Sequence, residues 1–390
     1  MISAVLPTYA RNELTFERGE GAYLIATTGK KYLDFASGVA VTALGHCHPY
    51  LVKALTEQGQ KLWHCSNLFQ VAGQQKLAER FIAHSFAQSA FFCNSGAEAV
   101  ECAIKVARKY QAETGHPERF GIIACTGSFH GRTLATLAAA GNEKYLHGFG
   151  PPAPGFAHVP FGNLNEMRAK VGRTTAALLV EPVQGEGGLA TAPEGYLAGL
   201  RAICDEFGLL LVYDEVQCGM GRTGKLFAHE WAGVPPDVLA TAKALGGGFP
   251  VGACLVTERA AVGMTPGSHG STFGGNPLAM AVANAVLDVM LAPGFFEQVD
   301  KVAGVLRRRL EGVVKKYPKL FVEVRGKGLL TGIKCVVLNS EMVDKLRHAG
   351  LLSVGAGENV VRLLPPLIID EGHVDEAIGI IEGVARQWAA

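Results

Sequence analysis

Two runs, Ala176-Ala-Leu-Leu-Val-Glu181 and Leu209-Leu-Leu-Val-Tyr-Asp214, decide the fold. Each is continuously apolar until its final acid, the pattern of a strand buried on both faces rather than one with a wet side. Between them Tyr196, Leu200, Ile203 and Phe207 recur at helical spacing, and Gly208 stops the pattern. Strand, helix and strand make a βαβ unit, so the middle of the chain is α/β.

Outward from that unit, Gly121-Ile-Ile-Ala-Cys-Thr126 and Val251-Gly-Ala-Cys-Leu-Val256 read as further covered strands, pointing to a mostly parallel sheet sheathed in helices. After about residue 285 the texture changes. A helical stretch from Val299 to Val314 leads to the alternating Phe321-Val-Glu-Val-Arg325, a short strand near Ile333, another helix, Val360-Val-Arg-Leu-Leu364 and a last amphipathic helix from His373. Tyr23-Leu-Ile25 and Lys31-Tyr-Leu-Asp-Phe35 are strand-like as well. The expected organisation is therefore an N-terminal segment, 1–45, joining a small α+β unit at 285–390, around a large domain at 46–284.

Composition excludes several classes of function. The 390 residues carry 36 basic and 35 acidic side chains, with no basic stripe, so the electrostatics of a nucleic-acid binder are missing. At 48% hydrophobic and 18% charged the chain is that of a well-buried globular protein. Its nine cysteines are scattered without a C-x-x-C pair, as suits reduced thiols in the cytoplasm. The start lacks a basic n-region and meets Pro7, Arg11 and Glu13 early, unlike a signal peptide, and no apolar run has membrane-spanning length.

Four stretches carry chemistry. In Cys93-Asn-Ser-Gly-Ala-Glu-Ala99, Ser95 and Glu98 have capping-box spacing. Gly96 and Ala97 then lie at a helix start where bare N–H groups can approach a phosphate, although the stretch alone also fits an ordinary capped helix. Gly219-Met-Gly-Arg-Thr-Gly224 imitates a dinucleotide fingerprint, but no capped helix opens after it, and Leu226 occupies the hydroxyl position of a phosphate-binding Walker loop. Asp214 ends a buried strand at the sheet edge where α/β ligands bind, and a carboxylate there needs a cationic partner such as a protonated pyridine nitrogen. Lys243 follows the apolar Asp237-Val-Leu-Ala-Thr-Ala242 and precedes Ala-Leu-Gly-Gly-Gly248. Desolvation there lowers the amine pKa and makes it a nucleophile towards an aldehyde.

Taken in order, Asn94-Ser-Gly-Ala-Glu-Ala, Phe129-His-Gly-Arg-Thr, Glu181-Pro-Val-Gln-Gly-Glu-Gly-Gly, Asp214-Glu-Val-Gln and Lys243-Ala-Leu-Gly-Gly-Gly resemble the class III (omega) aminotransferases of the fold-type-I pyridoxal-phosphate superfamily. The likeness runs from about residue 10 to the C-terminus. It implies a seven-stranded-type sheet in the large domain and pyridoxal 5'-phosphate carried by Lys243 as a Schiff base. By the same resemblance Asp214 would pair with the ring nitrogen, Gln217 would bond the ring hydroxyl, and Phe129 and Val216 would sandwich the ring. Ser95, Gly96 and Ala97 would hold the phosphate, helped by Thr272 from the other subunit of a homodimer. Gly45-His-Cys-His-Pro49 has a His-x-His spacing but reads as a turn before a helix starting at Pro49, and no metal is expected.

The resemblance also assigns the substrate grip. Arg132 would hold the remote carboxylate of an omega-amino donor, Arg362 the carboxylate of 2-oxoglutarate, and Glu186 would neutralise Arg362 in the other half-reaction. Trp63-His-Cys-Ser-Asn-Leu-Phe69 places Ser66 and Asn67 near the substrate entrance and leans towards the branch that acts on an acylated ornithine in arginine biosynthesis. Branches acting on other omega-amines share the same core, and an aminomutase or a non-catalytic scaffold is open at this stage. A scaffold would be expected to have lost Lys243, Asp214 or the phosphate loop, and none is lost.

Overall fold

The computed structural model describes residues 4–389; residues 1–3 and 390, the outermost parts of the expected terminal segments, lie outside the described residues. Its centre is a seven-stranded sheet in the order Ser89–Cys93, Gly252–Val256, Val238–Thr241, Leu210–Asp214, Thr175–Val180, Gly121–Cys125, Phe156–Val159. The two runs that define the βαβ unit are neighbours, pairing in parallel with Leu210 opposite Ala177 and Tyr213 opposite Val180. All residues of both strands are buried, the consequence of helices on both faces. The helix between them, Tyr196–Phe207, buries Tyr196, Leu200 and Ile203 and ends on Gly208 in the left-handed conformation, as its spacing indicates.

One strand departs from the parallel reading. Gly252–Val256 is fully buried, yet it runs antiparallel to both neighbours. The return from Val238–Thr241 passes through the short Lys243–Gly246 3-10 turn with no crossover helix, and so brief a connection can only reverse direction. Burial on both faces reports covering and says nothing of polarity.

Two four-stranded sheets flank this core. Phe16–Glu20, Tyr23–Ala26 and Lys31–Asp34 form one, closed by the parallel pairing of Leu351–Leu352 with Leu33 and Asp34. Phe321–Lys327, Leu330–Cys335, Val360–Leu363 and Val354–Ala356 form the other, entirely antiparallel. The helices Phe295–Lys316 and Glu371–Ala389 belong to this part of the chain, and Val299, Leu306 and Leu310 join the same apolar cluster as Leu363 and Ile381. Burying a side chain such as Leu306 stabilises the fold by about 1.5–3 kcal/mol. His46 bonds Asp34 at 2.7 Å, and Gly21 bridges His46, so the His-x-His stretch is the turn before the Pro49–Gly59 helix. Among the described residues no single helix is long and apolar enough to cross a membrane, and no His, Cys, Asp and Glu set could hold a metal ion.

Candidate active site

The C-terminal ends of the central strands open into a cavity of about 410 Å³, lined among others by Ser95, Gly96, Ala97, Phe129, Arg132, Asp214, Val216, Gln217 and Lys243. Nine of the candidates thus converge on one space. The Gly96–Glu113 helix begins on one wall, with Ser95 as its N-cap accepting from Glu98 N–H at 3.3 Å. The Glu98 carboxylate turns back to Asn94 N–H at 2.8 Å and to the Ser95 hydroxyl at 3.0 Å, one residue earlier than a capping box requires. The first N–H groups of the helix therefore face the cavity unspent. Gly96 is glycine for space: a Cβ there would sit 2.5 Å from a Val216 methyl.

Lys243 lines the same cavity. It leaves strand Val238–Thr241 with φ of 46°, a left-handed conformation that costs a non-glycine residue energy and is held only where the surroundings enforce it. Its ammonium has no hydrogen-bond or ion-pair partner among the described residues. Burial, then the nearby Arg362 charge, bring its pKa down to about 8, against smaller upward pulls from Glu186, Asp214 and Glu181. A partly neutral amine aimed into a cavity is a nucleophile.

Asp214 is 3% exposed and doubly held: Val216 N–H donates to one oxygen at 3.0 Å, and His130 Nδ1 lies 2.8 Å from the other. Burial alone would lower the His130 pKa, but the hydrogen bond and charge of Asp214, with Glu181 behind, raise it. Glu181 accepts from Phe129 N–H at 2.8 Å and Gly185 N–H at 3.2 Å. Burial, and next the Asp214 charge, push Glu181 up to about 7. Sequence reasoning passed over both His130 and Glu181 as individual residues. His130 stands beside Phe129 in a quoted motif, and Glu181, like Asp214, is the acid that closes a buried apolar run, the signal that could have found it.

At the rim, Arg362 is 1% exposed, with Nη1 2.8 Å from the Glu186 carboxylate and donating to Gln217 Oε1 at 2.8 Å. Gln217 thus spends its carbonyl on Arg362 and keeps its amide N–H groups for the cavity. Arg132 is exposed, has no carboxylate partner among the described residues, and lies 4.0 Å from the centre of the Tyr145 ring. Ser66, Asn67 and Thr272 lie outside this chain's cavity. Asn67 instead fastens the 271–275 loop, donating to the carbonyls of Ser271 and Gly274 at 3.0 and 2.8 Å.

These donors suit a flat, phosphate-bearing aldehyde: N–H groups at a helix start for the phosphate, a desolvated amine for the carbonyl, and a carboxylate for a protonated ring nitrogen. The fit agrees with what the chain resembles. Residues 7–384 match the family model for aminotransferase class-III, and the chain belongs to the class-III aminotransferases. Within that class it is 59% identical to acetylornithine aminotransferase 1 of Bradyrhizobium diazoefficiens, over 97% of this chain and 93% of that protein. It is 58% identical to the acetylornithine aminotransferase of Brucella melitensis, over 96% and 93%. Among solved structures, the N-acetylornithine aminotransferase of Stenotrophomonas maltophilia superposes with a TM-score of 0.86 at 37% identity, over 98% of each chain. The ornithine aminotransferase of Toxoplasma gondii, solved with partial occupancy of PLP at its active site, gives 0.93 at 32% identity, over 98% of this chain and 92% of that one.

Proposed function

We propose that this aminotransferase moves the terminal amino group of N2-acetyl-L-ornithine to 2-oxoglutarate, giving N-acetyl-L-glutamate 5-semialdehyde and L-glutamate, a step of arginine biosynthesis. Its cofactor is pyridoxal 5'-phosphate and it works as a cytoplasmic homodimer. The name shared by the relatives at 58–59% identity supports the substrate, and nine free cysteines suit a reducing compartment.

One observation carries the reading: the buried Arg362 is neutralised by Glu186 at 2.8 Å and donates to Gln217, which lines the cavity of Lys243. The two substrates differ at the reacting carbon. 2-Oxoglutarate has a carboxylate beside it and the terminal carbon of acetylornithine does not. With the amine donor bound, Glu186 stays on Arg362 and no cation is left unpaired in a dry site. With 2-oxoglutarate bound, the substrate carboxylate takes the place of Glu186 as a bidentate partner. Arg132, unpaired at the mouth, grips the far carboxylate of either substrate.

When bound, pyridoxal phosphate supplies an aldehyde for the amine and a ring that accepts electrons. The Gly96 and Ala97 N–H groups would hold its phosphate, Phe129 and Val216 would pack on the ring, and Gln217 would donate to the ring oxygen. Asp214 would keep a proton on the ring nitrogen, and His130, bonded to Asp214, fixes that carboxylate in place. Lys243 Nζ would take the proton from the terminal carbon of the donor and hold it for return. Thr272 and the 66–67 stretch of the neighbouring copy complete the phosphate and entrance walls.

Borohydride reduction of the yellow protein followed by peptide mass spectrometry tests the assignment. The cofactor mass is expected on Lys243, with Lys243→Ala losing both the adduct and turnover. An adduct on another lysine, or turnover in that variant, overturns it.

A further inference from the structure

A second and larger cavity, about 830 Å³, opens away from the active site, between residues 223–231, the Phe295–Lys316 helix and the Phe321–Lys327 strand. The transamination chemistry uses none of it. Trp231 stands in its wall, 40% exposed, with its indole N–H donating to the Thr223 carbonyl at 3.1 Å. Two ammonium groups crowd that ring: Lys327 Nζ lies 4.1 Å from its centre and Lys225 Nζ 4.6 Å. Neither has a carboxylate partner within ion-pair distance among the described residues; Lys225 donates only to the Glu230 carbonyl, at 3.3 Å.

The other charges are matched or opposed. Arg307 pairs with Glu311 at 3.2 Å and donates to the Gly326 carbonyl at 3.1 Å, and Arg325 pairs with Glu323 at 2.8 Å. Asp300 lines the cavity from the helix and has no ion-pair partner among the described residues. Burial lowers the Lys327 pKa; Asp300 offsets it, while Lys225 and Arg307 lower it further. Two like charges drawn onto one indole, faced by the single Asp300 carboxylate, leave an excess of positive charge that an anion relieves.

We propose that this cavity binds a small multivalent oxyanion, held by Lys327 and Arg307, with the Lys225 ammonium adding positive charge beside Trp231 and Asp300 limiting its affinity. The proposal does not rest on the substrate assigned above. It names two side chains whose replacement acts in opposite directions. Lys327→Gln removes a donor with its charge, and Asp300→Asn removes the opposing charge at nearly constant shape.

Isothermal titration of the holoenzyme with inorganic pyrophosphate, and separately with citrate, tests it. Binding of one anion per chain is expected with at least one probe, weakened about tenfold or more by Lys327→Gln and tightened by Asp300→Asn. Binding of pyrophosphate alone assigns the site to phosphate-bearing ligands, and of citrate alone to polycarboxylates. Failure of both probes to bind, wild-type affinity in Lys327→Gln, or weaker binding in Asp300→Asn overturns the proposal. An anion held instead by the active-site arginines would be untouched by either substitution and so counts against it.

Discussion

Lys243 concentrates the physics of the site. Its side chain is withdrawn from water, its backbone sits at φ 46°, and its pKa is down to about 8. Below that value the folded chain carries a buried, unpaired ammonium. Between about 8 and the ordinary 10.5, the unfolded chain keeps a proton that the folded chain has released. Folding stability of the cofactor-free protein therefore rises with pH across that window. The same shift governs capture of an aldehyde, since only the neutral amine attacks. Uptake of pyridoxal phosphate by the cofactor-free protein, followed by stopped-flow absorbance, should accelerate with an inflection near pH 8; an inflection near 10.5 would refute the desolvated amine. The apolar strand before Lys243 and the glycines after it made this residue legible in the sequence. Its strained backbone was not, because φ follows from packing that no local pattern records. Nor was the pairing of His130 with Asp214, which joins residues 84 positions apart.

At the level of elements, the Gly96–Glu113 helix begins in the wall of the cavity. Ser95 caps it, and Ser95→Ala should cost about 1 kcal/mol of stability. Gly96→Ala should do more: a Cβ 2.5 Å from Val216 pushes on a side chain that lines the cavity, an overpacking cost of about 1–3 kcal/mol. Dialysis with absorbance should show faster cofactor loss from Gly96→Ala than from the wild type, and equal retention would mean that Val216 yields freely. The helix and its cap were readable because both lie within a few residues of sequence. The reversed strand Gly252–Val256 was not, because the direction of a fully buried strand depends on how its connection turns. Arg362 was placed by resemblance, yet what fixes it is strand Val360–Leu363 with Glu186 and Gln217 from distant loops, a meeting that only tertiary structure creates.

Over the whole molecule, the site spans the central sheet and the antiparallel sheet that carries Arg362, so both must hold register for one turnover. The surface adds a further demand. Trp63, Leu68, Phe69 and Phe273 are exposed by 67, 88, 68 and 61%, and His64 packs on Phe273 with ring centres 5.4 Å apart. So much apolar surface beside Thr272 suits a subunit interface. In sedimentation velocity the wild type should run as a dimer, and Leu68→Asp with Phe69→Asp should give a monomer that sheds cofactor; a fully active monomer would remove the shared-site reading.

The substrate assignment is met most directly by the first half-reaction. The yellow holoenzyme is mixed in turn with N2-acetyl-L-ornithine, L-ornithine and 4-aminobutyrate, and loss of the visible band is timed. We expect acetylornithine to bleach the enzyme fastest, with the other two slower by about tenfold or more for want of matched contacts at the acylated end. Equal or reversed rates would contradict acetylornithine as the donor while leaving a class-III aminotransferase of another specificity.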